Sequence, residues 1–86
     1  MPSVSQPDWV LARRRSVGER VRELRLWRNL SQEKLAEKCG ADRQTVNRIE
    51  NGHQAPGLDT LIRIAAALGA PLPDLMQEPG STLPSE

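Results

Sequence analysis

Residues 31–52 read SQEKLAEKCGADRQTVNRIENG, and this stretch decides the fold. Ser31 is an N-cap, because a serine hydroxyl there accepts from a backbone N–H two or three residues on. Leu35, Ala36 and Cys39 share one side of the helix that follows. Gly40 ends it, supplying the positive φ that a tight turn needs. Asp42 is the next N-cap, Val46 and Ile49 are the inward pair, and Asn51-Gly52 stops the chain again. Ala36 is small where two helices must approach closely. The pattern predicts two short helices joined by a tight turn, the second over residues 42–50.

The two anchors decide what faces outward. At 3.6 residues per turn, Arg43, Gln44, Asn47 and Arg48 lie opposite Val46 and Ile49 or on the flanks of that face. An ordinary polar helix face mixes Glu with Lys; this one holds two guanidiniums, two carboxamides and no acid. Such side chains suit the edges of DNA bases, since Arg donates two hydrogen bonds to guanine and Gln or Asn pairs with adenine. Thr45 adds a hydroxyl for a phosphate or a methyl for thymine.

The flanking chain reads as further helices. Val10, Val17, Val21 and Leu24 form one apolar stripe, which favours a long first helix capped by Asp8. A later start at Ser16, with Glu19 completing a capping box, is the alternative. Either version ends near Arg28–Asn29, where Asn29 takes a left-handed conformation. A fourth helix over 58–68 turns Leu58, Leu61, Ile64 or Ala65, and Leu68 inward, and Gly69 ends it. A short fifth helix over 71–76 presents Leu72 and Leu75, with Pro71 and Pro73 in its first turn. Residues 1–7 and 77–86 read as flexible tails and 8–76 as the folded domain. Nothing reads as a strand, so the expected class is all-α.

Composition agrees. There is no Phe or Tyr and there are only two Trp, so the core must be aliphatic. Residues 13–52 carry eleven Lys or Arg against six Asp or Glu, although the whole 86-residue chain is only +1. A basic centre in a mildly acidic frame suits a polyanion-binding surface. One cysteine, Cys39, excludes an internal disulfide and a Cys-rich zinc site, and it reads as a small core residue. His53 has no Cys or His at ligand spacing, so no metal is expected, and its place beside Gly52 suits a phosphate instead. No carboxylate pair, nucleophile–base pair or phosphate-binding glycine loop is present, so no catalytic residue and no cofactor is expected. No signal peptide or membrane-length apolar run is visible, which points to a soluble cytoplasmic protein without membrane contact.

Arg25, Ser31-Gln32, Leu35-Ala36, Gly40, the run Val46 to Gly52, Pro56, Leu61 and Ala65-Ala66-Ala67-Leu68-Gly69 together resemble the phage-repressor type of helix-turn-helix, the Cro/cI-like (XRE) family. The resemblance covers about residues 17–76. It implies a compact five-helix lambda-repressor-like domain, a recognition helix in the major groove of double-stranded DNA, and a homodimer on a palindromic operator. It implies that Arg43 and Gln44 contact bases and that Arg48 reaches a base or a phosphate. Gln32 would contact a phosphate and brace the recognition helix, Asn51 and the Gly52 backbone would hold phosphate, and Arg25 would pair with Glu50. Departures are the carboxylate of Asp42 where phosphate approaches, Gly57 in place of a hydroxyl cap, and Pro71 and Pro73 shortening the last helix.

A sequence-specific transcriptional regulator is the expected function. The alternative is an antitoxin or other protein-interaction module that binds a partner protein and autoregulates its operon. Two features stay open from sequence. Arg13-Arg14-Arg15 is either an electrostatic arm near DNA or a solvated helix face. Trp9 packs on the fourth or fifth helix or belongs to a dimer surface. Trp27 is expected to cover the core edge.

Overall fold

The computed structural model describes residues 6–84. Five helices run in order: α1 Asp8–Trp27, α2 Gln32–Cys39, α3 Arg43–Glu50, α4 Leu58–Leu68 and α5 Leu72–Leu75, with no strand among the described residues. Residues 1–5 and 85–86, parts of the two expected tails, lie outside the described residues.

Local chemistry sets each boundary. Pro7, rather than Asp8, caps α1: its carbonyl accepts from the N–H of Val10 at 3.0 Å and of Leu11 at 3.2 Å. Asp8 is the first helical residue, where its charge suits the helix dipole. The apolar stripe therefore outweighs the Ser16 signal, and Ser16 and Glu19 lie inside the helix. Asn29 leaves α1 with φ 59°, and the Leu30 N–H returns to the Arg25 carbonyl at 3.0 Å. The Ser31 hydroxyl accepts from the Lys34 N–H at 3.0 Å, and Gly40 closes α2 at φ 73°. The Asp42 carboxylate accepts from the Thr45 N–H at 2.7 Å, which starts α3.

The core is aliphatic, as the composition requires. Val21 and Leu24 of α1 meet Leu35, Ala36 and Cys39 of α2, Val46 and Ile49 of α3, and Ile64, Ala65 and Leu68 of α4, with Leu75 of α5. One expectation fails at its margin, and one open choice narrows. Leu58, expected inward, is 64% exposed, because the stripe on α4 begins one turn beyond the part that its neighbours cover. Trp9 is 71% exposed and so packs on neither α4 nor α5, which leaves the other reading, a dimer surface. Trp27 is half-buried at the end of α1, with the Arg28 guanidinium 4.1 Å from its ring centroid. Arg28 also donates to the carbonyls of Leu68 at 2.8 Å and Gly69 at 3.2 Å, tying the end of α1 to the end of α4.

The crossing of α1 on α3 depends on Gly18. A methyl group there would stand 2.2 Å from the Ile49 carbonyl oxygen and 2.8 Å from that of Glu50. Both obstacles are backbone, so no side chain can swing away.

A second feature is the burial of Arg20, which is fully enclosed. A guanidinium has five N–H donors, and all are used. Nε donates to the Asp74 carbonyl at 2.9 Å, Nη1 to Glu23 at 2.5 Å and the Ser81 carbonyl at 3.2 Å, and Nη2 to Gln77 at 3.3 Å and the Thr82 carbonyl at 2.8 Å. Glu23 also accepts from the Gly80 N–H at 2.8 Å. Residues 77–82, read from the sequence as part of a loose tail, are thus fastened to α1. An irregular segment leaves its carbonyls unclaimed, and a buried guanidinium needs acceptors.

Gly18→Ala is expected to lower unfolding free energy by about 1–3 kcal/mol, the usual range for overpacking, as read by urea denaturation. An alanine variant as stable as the parent would contradict the close crossing. Arg20→Met is expected to speed hydrogen exchange at the Gly80 amide well beyond any change at core amides. Equal protection would show that Arg20 does not hold the segment.

Candidate nucleic-acid interface

The eight residues of α3 span about 12 Å at 1.5 Å per residue. Val46 and Ile49 are buried, which fixes the helix's rotation about its own axis. Arg43, Gln44, Asn47 and Arg48 are all exposed, as their spacing from the anchors predicts. Three of them, Arg43, Gln44 and Asn47, line one open depression with Asp42. Thr45 is half-buried. Its N–H and hydroxyl both reach Asp42 and hold that carboxyl below its ordinary range, with Arg48 assisting. The acid at the start of α3 is therefore already occupied by hydrogen bonds.

The inner end of α3 is held by a buried polar network. Glu50 is 3% exposed and Arg25 7%. Arg25 Nε donates to Glu50 Oε2 at 2.7 Å and Nη2 to Oε1 at 3.1 Å, the two-pronged geometry of a strong pair. Arg25 Nη1 also donates to the Leu30 carbonyl at 2.7 Å. Gln32 Nε2 donates to the same Glu50 Oε1 at 3.1 Å, and Gln32 Oε1 accepts from Asn47 Nδ2 at 3.4 Å. Asn51 Nδ2 donates to the Asn47 carbonyl at 2.9 Å. One chain of contacts thus links α1, α2 and the exposed face of α3. Among the described residues no buried side-chain nitrogen or oxygen lacks a partner.

The sequence reading anticipated the outward face and the pairing of Arg25 with Glu50. It foresaw Gln32 as a brace but not its hydrogen bond to Asn47. Gly52 turns the chain at φ 74°, and its N–H goes to the Ile49 carbonyl at 3.1 Å, while the His53 N–H goes to Arg48 at 2.8 Å. Those two N–H groups are already used within the protein. Arg15 was not singled out by sequence, yet it lies against Gly52, with its Cα 3.2 Å from where a methyl on Gly52 would stand. Nothing in residues 13–15 distinguishes one arginine from the next. Burial pushes the Cys39 thiol up, so it is not a ready nucleophile. No group of three or more His, Cys, Asp or Glu suited to a metal occurs among the described residues, and no helix is long and apolar enough to cross a membrane.

Glu50→Gln strands the Arg25 cation without its counter-charge and is expected to cost about 3–5 kcal/mol in chemical denaturation. A loss below about 1 kcal/mol, the range of a surface pair, would contradict the bracing role.

Comparison with known proteins gives the same answer. A family model described as helix-turn-helix matches residues 21–75. Control protein C.BamHI of Bacillus amyloliquefaciens is 42% identical over 60 residues, covering 69% of this chain and 74% of that protein. The cryptic phage CTXphi transcriptional repressor RstR of Vibrio cholerae is 34% identical over 59 residues, covering 69% of this chain and 53% of RstR. The crystal structure of the restriction-modification controller protein C.AhdI from Aeromonas hydrophila superposes with a TM-score of 0.73 at 38% identity, over 74% of this chain and 97% of that one. The chain belongs to the Cro/cI-like (XRE) helix-turn-helix family, and it is a sequence-specific DNA-binding transcriptional regulator, not an enzyme.

Proposed function

We propose that α3 enters the major groove with Arg43, Gln44, Asn47 and Arg48 toward base edges, while Gln32, Thr45, Asn51 and Gly52 lie at the phosphates. The observation that carries this reading is the face of α3 itself. Four exposed donors or acceptors, none of them acidic, stand on a helix whose opposite side is buried and whose inner end is braced. A helix with its side chains is about 10–12 Å across, which fits the major groove, about 12 Å wide.

A single α3 reads only a few base pairs, so the protein acts as a homodimer on a palindrome, with half-sites about one helical turn apart. Exposed Trp9, Leu58 and Ile62 offer apolar surface for such a pairing. Occupying an operator in the cytoplasm would then regulate transcription by excluding polymerase or by touching it. The alternative, an antitoxin whose tail wraps a partner protein, finds less support, because residues 77–82 are already bonded to α1.

Selection of duplexes from a random pool is expected to enrich a palindrome. On that duplex Arg43→Ala and Gln44→Ala should each weaken binding by about 1–3 kcal/mol with thermal midpoints unchanged. Failure to enrich any sequence, or full affinity in both variants, would contradict this assignment of the reading face.

A further inference from the structure

The arginine run 13–15 divides between two tasks. Arg13 belongs to the fold: its guanidinium pairs with the Glu78 carboxylate and donates to the Met76 carbonyl at 2.9 Å. Arg15 is different. It is exposed, and its side chain carries no ion pair or hydrogen bond among the described residues. Its Cα, Cβ and Cγ lie 3.2, 3.3 and 3.5 Å from where a methyl on Gly52 would stand, so its stem runs along the turn that leaves α3. Arg14, half-buried, lines the neighbouring groove with Ala55 and Pro56 of the same loop.

That turn has no cation of its own to set against a phosphate. Residues 49–62 contain no Lys or Arg. The N–H groups of Gly52 and His53 are spent on the carbonyls of Ile49 and Arg48. Yet with α3 in the groove and its N-terminal residues at the base edges, the chain leaving its far end at Asn51–His53 meets the sugar–phosphate rim. Arg15 brings a guanidinium to that place from another helix. Its position is not left to a mobile arm, because Gly18, three residues along α1, sits directly on the α3 backbone.

We infer that Arg15 contacts a DNA backbone phosphate, making the N-terminal half of α1 a second DNA-binding element beside the recognition helix. This lies outside residues 21–75, the part matched by the family model. The inference rests on the reading that α3 occupies the major groove. Its partner is the phosphate of double-stranded DNA, and it carries no sequence information.

Salt dependence tests it. Each phosphate neutralised contributes about 0.9 to the slope of log affinity against log salt. On the duplex enriched by the parent protein, Arg15→Gln is expected to flatten that slope by about 0.9 and to lower affinity by the same factor on a scrambled duplex. Glutamine keeps the stem on Gly52, and equal thermal midpoints confirm folding. Arg15→Lys keeps the charge and is expected to keep the slope. Arg13→Gln removes the same charge from the guanidinium paired with Glu78 and is expected to leave the slope unchanged. An unaltered slope in Arg15→Gln, or equal flattening in Arg13→Gln, overturns the inference. If Arg43→Ala still loses the enriched duplex in that case, the reading of α3 stands alone. If the parent enriches no duplex, both fall.

Discussion

The carboxylate of Glu50 is the point on which the molecule turns. Moving an isolated charge out of water is costly, and Glu50 is almost fully enclosed. It is tolerable only because Arg25 arrives from α1 with two hydrogen bonds and Gln32 from α2 with a third. Those donors come from the two helices that must be placed correctly for α3 to be presented. The interaction therefore acts less as a source of net stability than as a condition of assembly. An arrangement that misplaces α1 or α2 strands a charge. The missing side chain at Gly18 adds a steric condition on the same crossing. Polar and steric constraints together leave α3 little freedom to tilt, so its outward residues are held in place before any ligand arrives.

The same logic sorts the charge. Residues 13–52 carry a surplus of five positive charges, which read from the sequence as one polyanion-binding surface. Four of those arginines are committed to contacts within the protein. Arg13 holds Glu78, Arg20 holds residues 74–82, Arg25 holds Glu50, and Arg28 holds the end of α4. Arg15, Arg22, Arg43 and Arg48 remain exposed on α1 and α3. The basic centre of the sequence thus combines internal fasteners and an outward surface, and only geometry separates them.

How far the sequence could be read follows from the range of each interaction. Helix ends depend on neighbours three to five residues away, so Ser31, Gly40 and Asp42 could be assigned from spacing alone, as could the outward set Arg43, Gln44, Asn47 and Arg48. The partner of Glu50, 25 residues distant, came from family resemblance and not from spacing. Arg20 gave no signal, because all but one of its acceptors lie 54 to 62 positions away and most of these are carbonyls, which every residue possesses. The same lack of signal made residues 77–82 read as loose. Leu58 failed for another reason: periodicity gives the face of a helix but not how far along it the neighbours extend. The approach of Arg15 to Gly52 is likewise a property of the helix crossing.

In the proposed function, a braced α3 meets DNA through one face that carries Arg43, Gln44, Asn47 and Arg48. A crystal structure of the protein bound to a duplex that it selects would test this most directly. The expected complex has α3 in the major groove, Arg43 and Gln44 at base edges, and the Arg25–Glu50–Gln32 contacts unchanged from the free protein. A complex with α3 outside the groove, or with the Glu50 network broken on binding, would contradict it.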